Sequence, residues 1–229
     1  MRAFLRTRAA GLFALLVLFT GCITIEENYT FKKDGSGTME YVVDMSQIGE
    51  MMKAFEDMNK GGKKDEEAMG SLDLKEEVAA LKAVPGIKKV KVNDKDKFVQ
   101  KVTFNFADIN ALNAALNVLL EDSTEASYTF FTWEGNTLVR HNNDHAKQLG
   151  SGMGKGEDGG KDTTDMSAML ESMKYKYSFT FANDIANTVA AETMLKESPT
   201  TRSVKLDTDF SAISKDDKAL DLRIELKKP

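Results

Sequence analysis

One cysteine, Cys22, two histidines, three prolines and one tryptophan are all that 229 residues hold of these four types. A lone cysteine has no partner for an intrachain disulfide, so stability must come from a packed core. Three prolines beside sixteen glycines exclude a collagen-like or proline-rich fibre. The apolar run from Ala9 to Phe19 is eleven residues long, against the ~20 a helix needs to cross a bilayer. What the chain does have is an apolar share of 41% beside 29% charged residues, too apolar for a wholly disordered chain and long enough for one core.

The start of the chain is a secretory signal by pattern: Arg2, Arg6 and Arg8, then the short apolar run, then the small pair Thr20-Gly21. The only cysteine follows at once. Leu18-Phe19-Thr20-Gly21-Cys22 resembles the bacterial lipoprotein lipobox, with Phe19 where that family usually has Leu. The resemblance implies a signal peptide over residues 1–21, cleavage by signal peptidase II before Cys22, and a thioether-linked diacylglycerol on Cys22. Two or three acyl chains, each buried CH₂ contributing ~0.8 kcal/mol, hold a protein on a bilayer without spanning it. In enteric bacteria, Asp after the cysteine retains lipoproteins in the inner membrane; Ile23 therefore points to the outer membrane. Glu26-Glu27 faintly resembles the acidic export tags of Bacteroidota lipoproteins, but it falls inside a strand pattern, and a structural role is expected.

Without residues 1–21 the chain carries 28 basic and 36 acidic residues, a formal net charge of −8. That balance repels phosphate backbones, so nucleic acid is not expected as a partner.

Alternation dominates residues 22–229. Ile23, Ile25, Tyr29 and Phe31 recur at period two, broken only by Glu27; Met39, Tyr41 and Val43 follow across Asp34-Gly35-Ser36-Gly37, a tight-turn sequence. Ile87 to Val92 pairs with Phe98, Val102, Phe104 and Phe106, and Tyr128 to Trp133 pairs with Thr137 to His141. Tyr175 to Phe181 and Leu220 to Leu226 alternate cleanly as well. One dry and one wet face per strand is the mark of antiparallel sheet. Helical spacing falls between the hairpins: Ile48, Met51, Met52, Phe55 and Met58; Leu74, Val78 and Leu81; Ile109, Leu112, Leu116 and Leu119; Met166, Met169, Leu170 and Met173. The expected fold is a single α+β domain, an antiparallel sheet built from hairpins with helices packed on one face. Polar, glycine-rich stretches near 60–70 and 144–165 are expected to be mobile loops.

The patterns that carry chemistry fail their own requirements. Gly154 to Gly159 matches G-x-G-x-x-G, but has neither the strand before nor the helix after that a dinucleotide needs, and two carboxylates inside it. His141 and His145 are spaced for zinc only on a helix, and Asn142-Asn143 favours a turn. Asp94, Asp96, Asp207, Asp209, Asp216 and Asp217 lack the order of a calcium loop and read as solvated turn residues. No enzyme, cofactor or metal is expected.

Met51, Met52, Phe55 and Met58, with Met166, Met169 and Met173, form two methionine-rich stripes. Methionine packs adaptably against varied apolar partners, so these stripes are the candidate contacts for a ligand or a protein partner. Their plainer role is to cap the dry face of the sheet. Two functions stay open: an outer-membrane lipoprotein binding a lipid or other apolar ligand between sheet and helices, or an envelope scaffold or accessory subunit binding another protein. A closed apolar cavity favours the first; a filled core with an exposed methionine patch favours the second.

The strands around Lys33-Asp34-Gly35-Ser36-Gly37-Thr38, close behind the cysteine, resemble the opening of secreted bacterial lipoproteins with the LppM-type domain. The resemblance covers about the first 40 mature residues and the alternation of the last 50. It implies an α+β periplasmic module with a lipid-binding cavity, and no functional residue carries over from it.

Overall fold

The computed structural model describes residues 23–50, 53, 75–120, 127–141 and 163–228. The strands are β1 (Thr24–Phe31), β2 (Gly37–Asp44), β3 (Ile87–Asp96), β4 (Val99–Phe106), β5 (Phe131–Glu134), β6 (Thr137–Arg140), β7 (Lys174–Phe181), β8 (Ile185–Ala190), β9 (Leu195–Thr200), β10 (Ser203–Asp209) and β11 (Leu222–Leu226). The helices are α1 (Lys75–Ala83), α2 (Ile109–Leu120), α3 (Thr163–Ser172) and α4 (Phe210–Lys215), and residues 46–50 are helical too.

The strands form two sheets. The larger has seven, in the order β3-β4-β2-β1-β7-β10-β9; the smaller has four, β5-β6-β11-β8. The first hairpin closes as its sequence demands. The Asp34 carboxylate accepts from the Ser36 amide at 3.0 Å and hydroxyl at 2.8 Å, while Gly35 takes a φ of 81°, which glycine adopts without steric cost.

Every other pair is antiparallel, but β1 and β7 run parallel, with Tyr29 beside Phe179 and Phe31 beside Phe181. Parallel strands with the same alternation put like rings at the same level. Tyr29 stacks on Phe179 at 5.0 Å and 13°, and Phe31 on Phe181 at 5.4 Å and 11°. The smaller sheet lies across this ladder: Phe131 meets Tyr29 edge-on at 5.1 Å, and Trp133 meets Phe31 edge-on at 5.8 Å. Such pairs add ~0.5–1.5 kcal/mol each to the area they bury.

Helices cover what the smaller sheet leaves open. On one flank α1 and α2 contribute Val78, Leu81, Leu112, Leu116 and Leu119 to the core. Helix α2 also grips the chain leading into β5. Asn113 bonds the Phe131 carbonyl and amide at 2.9 and 2.8 Å, and Asn117 bonds those of Tyr128 at 2.8 and 2.7 Å. Each asparagine thereby serves a backbone pair as a neighbouring strand would. On the other flank α4 is capped by Asp209, whose carboxylate accepts from Ala212 N at 2.9 Å.

The mixed α and β content stands, and the single antiparallel sheet is corrected. The dry face is covered by a second sheet as well as by helices, because β5, β6 and β11 present apolar residues of their own to it. β8, β9 and β10 are not among the strands expected from the sequence: β9 (LKESPT) is exposed along its whole length and has no alternation to read. Asp207 and Asp209, expected in turns, lie on β10. Of the loop expected near 144–165, the last three residues open α3 and the rest lie outside the described residues, as does the stretch near 60–70.

Candidate functional site

Glu27, the polar break in the first strand, sits at the centre of the larger sheet on its inner face and is fully buried. Register puts Tyr41 of β2 on one side and Tyr177 of β7 on the other. Tyr29 and Tyr175 donate their hydroxyls to the two Glu27 carboxylate oxygens. Across the sandwich, the last residue of β6 supplies the counter-charge. Arg140 Nη1 lies 3.0 Å from Glu27 Oε2, and Arg140 Nη2 lies 3.4 Å from Oε1. The guanidinium is stacked 4.4 Å from the Tyr177 ring centre and 5.0 Å from that of Phe131.

Burial would by itself lower the Arg140 pKa, but Glu27 and the surrounding tyrosines outweigh it and hold the guanidinium charged. Burial raises the phenols of Tyr29 and Tyr175 well above the ordinary tyrosine range, and Glu27 pushes further in the same direction. Tyr177 is raised by burial against the opposing pull of Arg140. Tyr41 is raised by burial and then by Glu27. A charge pair at 0% side-chain exposure, enclosed by tyrosines, is out of reach of a substrate. Its chemistry is to fix the register of one sheet on the other, since each carboxylate oxygen has partners in both layers. The expected structural role of Glu27 is what its surroundings show.

Ligand-sized space lies at the surface. A cleft of about 580 Å³ opens at one end of the smaller sheet between Val139, Val189, Ala190, Leu222 and the Asp216 to Asp221 turn. A second, of about 330 Å³, lies on the outer face of the larger sheet beside Leu195 and Lys176. A third, of about 340 Å³, opens at the opposite end around Trp133 and a group of lysines.

The residues singled out from sequence are dispersed. Cys22, Met51, Met52, Phe55 and Met58 lie outside the described residues, as does His145. Met166 falls on α3. Met169 on that helix is 41% exposed, whereas Met173, one residue before β7, is 0% exposed and part of the core. His141 follows β6 at the surface, its Nε2 3.4 Å from Thr132 Oγ1. Among the described residues no three His, Cys, Asp or Glu side chains gather as a metal site. No described helix is long and apolar enough to cross a membrane.

Sequence reasoning missed Arg140 as the partner of Glu27, although a signal was there. The inner-face aromatics nearest Glu27 are Tyr29, Tyr41, Tyr175 and Tyr177, and those further along the same strands are Phe31, Phe179 and Phe181. Hydroxyls appear where a buried carboxylate needs donors.

No family matches the chain, and no curated protein matches it in sequence. Among solved structures, the folded domain of the Mycobacterium tuberculosis LppM protein, determined by NMR, is similar over 92% of this chain and 94% of that one. The TM-score is 0.44 and the sequence identity 10%.

Proposed function

We propose that this chain is a non-enzymatic lipoprotein of the bacterial cell envelope, held on the outer membrane by acyl chains on Cys22. One observation carries the reading. Ile23, the residue after the cysteine, is already built into the core: its side chain is 5% exposed and its carbonyl accepts from Lys174 N at 2.9 Å. No spacer separates the acylated residue from the body, so the end of the sandwich at Thr24 rests against the lipid. At this end the chain also offers unusual apolar exposure. Leu195 is 74% exposed and Val189 55%, on either side of the β8–β9 turn, and Met169 lies in the last turn of α3.

The apolar ligand expected between sheet and helices has a different place here. The smaller sheet fills that space with Phe131, Leu138 and Ile224. The 580 Å³ cleft beside Val189 and Leu222 is the larger of the two described near the anchored end, and it takes an amphipathic lipid from the adjacent leaflet.

Cys22→Ala is the test. The variant is expected in the soluble fraction and free of label after growth with a radioactive fatty acid, while the native chain is labelled and sediments with the outer membrane. A variant that still takes up label, or a native chain with an unmodified thiol by mass spectrometry, overturns the reading. Lipid extraction of the native protein identifies the ligand.

A further inference from the structure

We infer that the cleft at the end of the sandwich farthest from Cys22 binds a phosphate-bearing anion that also carries a ring or short apolar group. The inference stands apart from the anchoring of Cys22. Eight residues of β1 separate the two ends, about 24 Å of strand.

Four lysines meet at this cleft: Lys32 and Lys33 from the β1–β2 turn, and Lys227 and Lys228 from the segment after β11. In a mature chain with 28 basic and 36 acidic residues, such a cluster runs against the charge of the whole surface. The carboxylates nearby are held chiefly by groups outside the lysine cluster. Asp34 is held by Ser36, the largest cause of its lowered pKa, with Lys32 a smaller one. Asp184 accepts from Arg202 Nε at 3.1 Å and Thr201 Oγ1 at 3.0 Å, and the Arg202 bond is the larger cause of its lowered pKa. Lys227 Nζ lies 3.9 Å from Asp184. None of the ion pairs among the described residues takes up Lys32, Lys33 or Lys228.

The floor beneath this cationic rim is aromatic. Trp133 stands edge-on to Phe31 at 5.8 Å and to Phe181 at 6.4 Å, and all three line the cleft. Backbone bonds hold the rim in place: Lys32 N to Ser36 O at 2.8 Å, and Lys227 N to Asp184 O at 2.8 Å. A rigid apolar floor under several ammonium groups separates two kinds of anion. A small inorganic ion gains only the exposed charges, which screening weakens. A phosphate joined to a ring or short chain gains the charges and also covers the indole. About 340 Å³ accommodates such a group.

Trp133 is the only tryptophan of the chain, so its fluorescence reports the cleft directly. The purified full chain is titrated in non-ionic detergent with phenyl phosphate, with dihexanoylphosphatidic acid and with inorganic phosphate. Saturable quenching is expected for at least one of the first two, about tenfold tighter than for inorganic phosphate. Binding of phenyl phosphate identifies a free phosphate ester as the source, and binding of the lipid alone identifies a phospholipid headgroup. The double substitution Lys32→Glu/Lys227→Glu is expected to weaken binding about tenfold or more. Lys91→Glu/Lys95→Glu, an equal charge change on β3, should leave it within about twofold. All these side chains are at the surface, and circular dichroism confirms that the variants fold. Equal binding of inorganic phosphate, equal loss with Lys91→Glu/Lys95→Glu, or no saturable change with either organic probe overturns the inference.

Discussion

Removing one charge from the centre of the sandwich tests whether the Glu27–Arg140 pair locks the two sheets. Breaking a buried pair by removing one partner typically costs ~3–5 kcal/mol, because the other charge remains without compensation. A domain of this size holds ~5–15 kcal/mol in all, so either single variant forfeits a large share of the total. The two halves differ in how they respond. Arg140→Met leaves a carboxylate that still accepts hydrogen bonds from Tyr29 and Tyr175. Glu27→Gln leaves a guanidinium stacked between Tyr177 and Phe131 that cannot lose its charge. Glu27→Gln is therefore expected to be the costlier change, near ~4–5 kcal/mol at neutral pH, with Arg140→Met nearer ~3. Denaturant unfolding followed by Trp133 emission measures both. Deficits below ~1 kcal/mol in both variants would refute the assignment of the pair as the interlayer clamp.

Alkaline stability gives an independent check. Tyr29, Tyr41, Tyr175 and Tyr177 all have folded-state pKa values raised chiefly by burial, so their contribution is fully present below the unfolded value near ~10 and is lost as pH rises above it. Four such groups steepen the loss toward ~5 kcal/mol per pH unit, and phenolate absorbance from these four should rise only together with unfolding; a gradual rise in a folded chain contradicts their burial. Gly37→Ala should lower stability by at least ~1–3 kcal/mol, because a Cβ there collides with the Thr30 carbonyl and the Phe106 ring. Unchanged thermal unfolding of that variant would show that the β1–β2–β4 packing is looser than described.

Much of the larger sheet is legible in the sequence for a physical reason. β1, β2, β4 and β7 each bury one face against a dense core and leave the other more open, so period two is imposed along most of their length, Val42 of β2 excepted. The edges escape because the constraint lapses there. β3 buries little beyond Ile87 and carries a lysine-rich, irregular register with β4, and β9 is exposed throughout. Such blunted edges resist pairing with other chains and for the same reason leave no pattern to read. Sheet membership is harder still. The alternation of Tyr128 to Arg140 shows two strands but not which layer they join, since a strand with one dry face packs equally well as a neighbour in a sheet or across from it. That choice is made by Asn113 and Asn117, which draw the β5 segment onto α2, and by Arg140, which has a buried carboxylate to reach only from the opposite layer. Polar residues that look like interruptions of the two patterns thus decide how the apolar elements are assembled. The lysine cleft follows from the same assembly, because the two segments that supply its four ammonium groups are separated by nearly the whole chain and meet only once β5 and β11 lie over β1 and β7.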